Sequence, residues 1–215
     1  MLLRPEQRAK LDDTNDSFFY GQPRFVTHVD EGFIQQLTDL YQERLQPDMR
    51  VLDLMSSWVS HLPEAIAFTH VEGHGLNGEE LARNPRLDHY FVQNLNQEPT
   101  LPLDDQSFDA VLNTVSVQYM QYPEAIFSEI HRVLKPGGVA IISFSNRMFY
   151  QKAIQAWRDG SEGDRVRLVE GYFTSVPGFT KPEVVARQSQ APGIMQLFGM
   201  GGGDPFYAVI AHRQA

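Results

Sequence analysis

The sequence predicts an α/β protein built on a doubly wound, mostly parallel sheet. Short runs that are almost continuously apolar, such as residues 139–144, are typical of parallel strands covered by helices on both faces. Segments with helical spacing of apolar residues alternate with these runs, which predicts right-handed crossovers and ligands at the carboxyl ends of the strands. The chain has 215 residues, of which 42% are hydrophobic and 21% charged. Since no repeat or linker interrupts it, we expect a single domain over residues 1–215.

Seven segments have the length and composition of strands. They occupy residues 49–54, 68–72, 90–92, 108–112, 139–144, 178–190 and 205–212. The last two form a hairpin-like pair, which is common at the edge of a mostly parallel sheet. We therefore expect a seven-stranded sheet in which the first five strands are parallel and residues 205–212 form a C-terminal antiparallel strand.

Helices are expected between the strands, and three of them have clear start signals. One follows Asp30, where apolar residues recur at helical spacing until a proline ends the pattern. Another follows Asn77, because Asn77 and Glu80 form a capping-box pattern. The third begins at Pro123, since proline suits the first turn of a helix. Two further helical patterns lie at residues 148–157 and 165–172.

Charge and composition exclude several classes of function. The formal net charge of −9 does not favour nucleic acid as a partner, because neutralising phosphates requires a surplus of Lys and Arg. The absence of cysteine excludes disulfides and thiolate chemistry. The chain starts with no apolar signal core, no stretch has the length of a membrane span, and the histidines lack metal-ligand spacing. We therefore expect a cytoplasmic protein with no metal and no nucleic-acid or membrane partner.

Three segments carry a specific resemblance. Residues 101–111 read LPLDDQSFDAV, residues 125–138 read AIFSEIHRVLKPGG, and residues 51–54 read VLDL. Their sequences and mutual spacing resemble the class I S-adenosylmethionine-dependent methyltransferases with a type 11 methyltransferase domain, over roughly residues 33–145. The resemblance implies a Rossmann-like fold, S-adenosyl-L-methionine as cofactor, and methyl transfer to a small-molecule acceptor.

The family normally follows its first strand with a glycine-rich turn that lets the backbone approach the cofactor. In this chain Asp53 is followed by Leu, Met55, Ser56 and Ser57, and no glycine is present. The resemblance assigns Asp53, Met55, Ser56 and Ser57 to the cofactor site, where the serine hydroxyls can bond the carboxylate of the cofactor. Alternatively, the serines only form a turn and the apolar residues of the loop belong to the core.

Two further cofactor determinants are altered. The acidic residue that accepts the ribose hydroxyls in the family is replaced by Gly75, and Leu76 matches the apolar residue that packs on adenine. Asn94 stands where the family has an Asp that accepts from the adenine amino group, and the Leu95 N–H can also serve the ring. Alternatively, Asn94 only ends a strand in a turn. We expect weak binding of S-adenosylmethionine that Gly75→Asp tightens, unless His74, Glu72 or Asn77 already reaches the ribose.

Positions near the substrate follow from the same resemblance. Asn113, at the end of the fourth strand, is assigned to the cofactor site, whereas Tyr119, Asn146 and Arg147 are assigned to the substrate. Each of these can instead be an ordinary loop or turn residue, and no residue is assigned a catalytic role. Glycines at residues 199–203 begin like a dinucleotide fingerprint, but a strand rather than a helix is predicted to follow them.

Two alternatives remain beside the methyltransferase. The loss of the glycine-rich turn and of the ribose carboxylate motivates a non-catalytic relative that kept the fold and serves as a binding or scaffold protein. The same losses allow an enzyme that holds a different nucleotide-like ligand in the cleft. The fold alone does not decide among these possibilities.

Overall fold

Seven strands form the single mixed sheet that the sequence predicts. The computed structural model describes residues 2–187 and 203–215. The strands are Arg50–Asp53 (β1), His70–Gly75 (β2), His89–Val92 (β3), Phe108–Thr114 (β4), Leu134–Phe144 (β5), Glu183–Arg187 (β6) and Phe206–His212 (β7). Their order across the sheet is β3-β2-β1-β4-β5-β7-β6. The first five are parallel and β7 is antiparallel to both β5 and β6, so the predicted fold class is confirmed.

Six α-helices accompany this sheet within the described residues. They are Asp16–Phe19 (α1), Glu31–Arg44 (α2), Gly78–Ala82 (α3), Pro123–Val133 (α4), Gln155–Arg158 (α5) and Glu162–Thr174 (α6). The helices expected after Asp30, after Asn77 and at Pro123 are confirmed. The Asn77 side chain caps α3 by accepting from the backbone N–H groups of Glu79 and Glu80, each at 3.0 Å. The capping box is incomplete, because the Glu80 carboxylate accepts from the Arg24 backbone N–H instead.

One local prediction is wrong and one strand is longer than predicted. Only the last three of residues 148–157 are helical, because tertiary hydrogen bonds hold the others in a turn and irregular backbone: the Phe149 N–H donates to the Tyr119 hydroxyl and the Ile154 N–H to the Gln118 carbonyl. In addition, β5 begins at Leu134, ahead of the predicted residues 139–144. Leu134 pairs with Phe108 before a register shift separates it from the main ladder. Pairing with β4 thus extends β5 into residues that the sequence predicts to be a loop.

The core consists of two apolar layers, one on each face of the sheet. One layer packs α4 and α6 against β4 and β5, and the other packs α2 against β1, β4, β5 and β7. The central strands β1, β4 and β5 are therefore apolar on both faces, as their sequences indicate. No helix among residues 2–187 and 203–215 is both long and apolar enough to cross a membrane. Several buried polar residues, among them Asp53, His74 and Asn113, lie near the carboxyl ends of β1, β2 and β4, described next.

Candidate active site

A cavity of about 280 Å³ lies at the carboxyl ends of β1 to β4. The strand order reverses between β1 and β4, and such a switch point is where ligands bind in open α/β sheets. The loop after β1 and the ends of β2 and β3 form one side of the cavity, which we call the floor. The opposite side, which we call the roof, consists of the lining residues between Asp16 and Val29 together with Arg147, Met148 and Phe149.

The loop after β1 has the backbone conformation of a glycine turn without a glycine. Met55 has φ of +59°, in the left-handed region that costs a side chain about 1–2 kcal/mol. The Met55 N–H donates to Nδ1 of His74 at 3.1 Å, and the Ser56 N–H donates to the His74 carbonyl at 2.6 Å. These hydrogen bonds hold the loop on β2 and offset the strain at Met55.

His74 uses both of its ring nitrogens in this arrangement. Because Nδ1 accepts from the Met55 N–H, the ring carries its proton on Nε2, which donates to the Gln93 carbonyl at 2.9 Å. The side chain is 1% exposed, and burial lowers its pKa to about 4, so the ring is neutral at pH 7. A single imidazole therefore joins the loop after β1 to β2 and to the end of β3. The sequence analysis did not assign this role to His74.

Gly75 is needed for close packing rather than for a missing ligand contact. A Cβ at this position would lie 2.6 Å from the Ser56 carbonyl oxygen, so the loop after β1 occupies the space of any side chain. The expectation that Gly75→Asp restores a ribose carboxylate is therefore not supported by the geometry.

The residues that were expected to replace this carboxylate are committed to other partners. His74 has no free ring nitrogen, and the Asn77 amide caps α3 and donates to the Tyr20 carbonyl at 2.7 Å. Glu72 pairs with His70 and His89 and does not line the cavity. A carboxylate that does line the cavity, Glu80, belongs to the first turn of α3.

Asp53 is the buried acid of the floor. It lies at the end of β1, is 4% exposed, and accepts a hydrogen bond from the Ser56 hydroxyl at 2.6 Å. Burial raises the pKa of the Asp53 carboxyl to about 6. The carboxyl group is thus mostly ionised at pH 7 and favours a positively charged ligand in the cavity.

The other predicted cofactor residues divide into two groups. Met55, Ser56, Ser57, Gly75, Leu76, Asn94 and Leu95 all line the cavity with Asp53. Asn113 does not line it: this buried side chain donates to the Leu54 carbonyl at 2.9 Å and supports the loop from β4. The Asn94 amide oxygen accepts from the Asn96 N–H at 3.0 Å, which is the turn role considered as its alternative. That oxygen has a second lone pair, so the turn leaves Asn94 able to accept from a ligand.

Two of the three predicted substrate residues reach the cavity. Tyr119 lines it, its hydroxyl accepts from the Phe149 N–H at 2.8 Å, and burial raises the pKa of that hydroxyl to about 12. Arg147 also lines the cavity, and its Nε donates to Asp204 at 2.6 Å. Asn146 is exposed and does not line it. The glycine-rich residues 199–202 lie outside the described residues.

The N-terminal part of the roof, from Asp16 to Val29, is the part of the site that the sequence did not predict. It is anchored by Lys152, which is 0% exposed and donates to the Thr14 carbonyl at 2.8 Å. The same ammonium group lies 3.0 Å from a carboxylate oxygen of Asp12 and 3.4 Å from one of Asp16. Asn96, beyond the end of β3, donates to Asp16 at 2.9 Å and ties the roof to the floor. An aromatic cluster at residues 18–20, within an otherwise polar segment, was the one available signal.

A sheet of this order with its cavity at the switch point defines a class of protein, the Rossmann-like enzymes and binding proteins. Comparison with known families narrows that class, because residues 73–142 match the family model described as "Methyltransferase domain". The match covers 70 of the 215 residues and, together with the fold, confirms the resemblance to the class I methyltransferases seen in the sequence motifs.

Individual relatives are distant. The chain is 32% identical to a sterol 24-C-methyltransferase of Yarrowia lipolytica over 107 residues, which are 46% of this chain and 28% of that protein. The chain thus matches less than a third of the length of this relative. Among solved structures, the [4+2]-cyclase SpnF has a TM-score of 0.60 at 19% identity, covering 93% of this chain and 91% of that one. Phosphoethanolamine N-methyltransferase 2 of Haemonchus contortus, in complex with S-adenosyl-L-methionine, has a TM-score of 0.56 at 16% identity. The alignment covers 84% of this chain and 52% of that chain.

Two substitutions at His74 separate its two hydrogen bonds. In His74→Asn the amide oxygen can still accept from the Met55 N–H, whereas in His74→Gln the amide nitrogen can still donate to the Gln93 carbonyl. We expect the Met55 amide hydrogen to exchange with solvent faster than in wild type in His74→Gln but not in His74→Asn. Hydrogen exchange followed by NMR measures this difference. Equal protection of Met55 in both variants would contradict the role of Nδ1.

Gly75→Ala tests the contact between the loop and β2. The new Cβ meets the Ser56 carbonyl, and the forced shift should lower the free energy of unfolding by about 1–3 kcal/mol. Gly78→Ala is the matched control, because its Cβ meets only Val92 at an ordinary 3.4 Å. Urea denaturation of both variants gives the comparison, and equal stability of the two would show that the loop has room to move.

Proposed function

We propose that this protein is an S-adenosylmethionine-dependent methyltransferase that acts on a small-molecule acceptor. The observation that carries the proposal is a cavity with carboxylates on its floor at the switch point of a methyltransferase-like fold. Its lining includes eight of the nine residues that the sequence assigned to the cofactor. Two of the relatives described above are named as methyltransferases of sterols and of phosphoethanolamine. These names support a small acceptor without specifying one.

The chemistry of the cavity fits the proposed cofactor. S-adenosylmethionine carries a sulfonium and an ammonium group, and Asp16, Asp53 and Glu80 line the cavity with acidic groups. Asp53 and the loop of Met55, Ser56 and Ser57 would hold the methionine part. Leu76, Asn94 and Leu95 would hold the adenine ring, with Asn113 supporting the loop from behind.

Glu80 is our candidate for the carboxylate that accepts the ribose hydroxyls. It lines the cavity from the first turn of α3, five residues after Gly75, where the family has its acid, and Gly75 itself has no room for one. One oxygen of Glu80 accepts from the Arg24 backbone N–H at 2.6 Å, which fixes the position of the carboxylate. Burial raises the pKa of this carboxyl, which indicates a partly desolvated acid beside the cavity.

The residues of the chain would act by binding and orientation. When bound, the sulfonium supplies an already activated methyl group, so holding the acceptor in line with it provides much of the rate. Tyr20 and Phe149 of the roof, together with Tyr119, line the cavity with aromatic side chains. A single domain over residues 1–215 and a cytoplasmic location remain part of the proposal.

A second candidate is a non-catalytic or non-methylating protein that keeps the fold. Met55 and Ser57 in a loop that normally contains glycine favour this alternative. The likeness to a protein named as a cyclase illustrates that this fold accommodates other reactions.

Binding of the cofactor decides between these candidates. We expect isothermal titration calorimetry to show binding of S-adenosylmethionine and S-adenosylhomocysteine. Glu80→Gln should weaken it about 10-fold to 100-fold, the value of one charge-assisted hydrogen bond. Glu79→Gln is the matched control, because Glu79 is exposed and pairs with Arg83. No heat with either ligand at millimolar concentration would reject the methyltransferase and favour the second candidate.

The pKa of Asp53 predicts opposite pH dependences for stability and for binding. Because the folded pKa of about 6 exceeds the ordinary value of 3.8, the contribution of this group to stability falls as pH rises from about 4 to 6. A cationic ligand needs the ionised carboxyl, so the affinity for S-adenosylmethionine should rise through pH 6. Asp53→Asn should abolish both trends, as measured by urea denaturation and calorimetry at pH 5 and 8. Parallel trends, or trends that persist in Asp53→Asn, would show that another group titrates.

A further inference from the structure

The roof of the cavity carries a guanidinium group with unused hydrogen-bonding capacity. Nη2 of Arg24 donates to the Phe19 carbonyl at 2.9 Å, whereas Nη1 is buried and has no hydrogen-bond partner. Three aromatic rings surround the group, with the Arg24 Cζ atom 4.7 Å from the centroid of Phe19, 5.5 Å from Phe149 and 5.9 Å from Tyr20. Glu80 contacts the Arg24 backbone N–H, and no carboxylate among the described residues forms an ion pair with the Arg24 guanidinium.

A second unpaired donor lies on the same wall. The Tyr20 hydroxyl is buried and has no hydrogen-bond partner, while the Tyr20 carbonyl accepts from Asn77 at 2.7 Å. Both Arg24 and Tyr20 line the cavity. A buried donor without an acceptor is destabilising, and native proteins normally satisfy such groups. Two of them side by side at a cavity indicate an acceptor that belongs to a ligand.

We propose that Arg24 and Tyr20 form a carboxylate-binding subsite in the roof. The planar guanidinium fork matches a carboxylate, and its apolar surroundings strengthen a charge-assisted hydrogen bond. Asp53 and Glu80 repel an anion from the floor, and the third acid of the lining, Asp16, is paired in the roof with Lys10 and Lys152. Arg24 and Tyr20 are thus roof donors that remain for an anionic group. The inference rests on the proposed function. If the protein is a methyltransferase, the carboxylate belongs either to the amino-acid part of the cofactor or to an acidic methyl acceptor.

Titration calorimetry with three probes distinguishes these two sources. S-adenosylhomocysteine contains the amino-acid carboxylate, and 5′-methylthioadenosine lacks it. Hexanoate, titrated into protein already loaded with S-adenosylhomocysteine, represents an acidic acceptor. The variants are Arg24→Gln and Tyr20→Phe, with Arg83→Gln as the control because Arg83 is exposed and outside the cavity.

For a cofactor carboxylate, Arg24→Gln should weaken S-adenosylhomocysteine binding at least about 10-fold and leave methylthioadenosine unchanged. For an acceptor carboxylate, S-adenosylhomocysteine binding stays unchanged and hexanoate binding is lost. Tyr20→Phe should follow the same pattern with a smaller effect. Unchanged binding of all three probes, or equal weakening of S-adenosylhomocysteine and methylthioadenosine, would overturn the subsite.

Failure of the proposed function gives a different result. If neither adenosine ligand binds the wild type, the cofactor assignment fails, and hexanoate titrated into the free protein then tests the subsite alone. Hexanoate binding that is lost in Arg24→Gln would support a carboxylate subsite in a protein that is not a methyltransferase. No hexanoate binding to the wild type in that case would overturn the subsite too.

Discussion

The hydrogen bond from the Met55 N–H to the His74 ring is the interaction on which the geometry of the site depends. It holds a methionine in a left-handed conformation where relatives use glycine, and it brings the loop after β1 onto β2. This contact leaves no room for a side chain at residue 75, since the Ser56 carbonyl occupies that space. The absent glycine turn and the absent ribose carboxylate are thus two consequences of one packing arrangement.

This coupling changes how the altered motifs should be understood. Taken separately, each departure from the family suggests a decayed cofactor site. Taken together, His74, Gly75 and Ser56 form a close-packed unit in which every polar group of the imidazole has a partner. His74 therefore has a structural role in the floor, whereas Arg24 and Tyr20 in the roof keep buried donors without a partner.

Charges of both signs line the cavity. Asp53 and Glu80 are on the floor, whereas Arg24 and Arg147 are on the roof with Asp16, which is paired with Lys10 and Lys152. The roof is held by the buried ammonium group of Lys152, which has carbonyl and carboxylate partners from the N-terminal segment. Moving this segment away would leave the Lys152 ammonium group buried without partners, which is energetically costly. The segment is therefore held against the rest of the protein. The position of Arg24 and Tyr20 beside the cavity follows from that anchoring.

The sequence by itself determined the sheet, its strand direction and the resemblance to the class I methyltransferases, because apolar periodicity and the SFD and RVLKPGG segments are local patterns. It also located the floor, since Asp53, Leu76 and Asn94 follow strands whose carboxyl ends meet at one edge. Only the tertiary structure decided what Gly75 and His74 do, because their roles depend on a loop 19 residues away from His74. The same holds for the roof, where Lys152 contacts Thr14 across 138 residues of sequence. Contacts between distant segments leave no periodic signal, so side-chain roles at the site had to come from the fold.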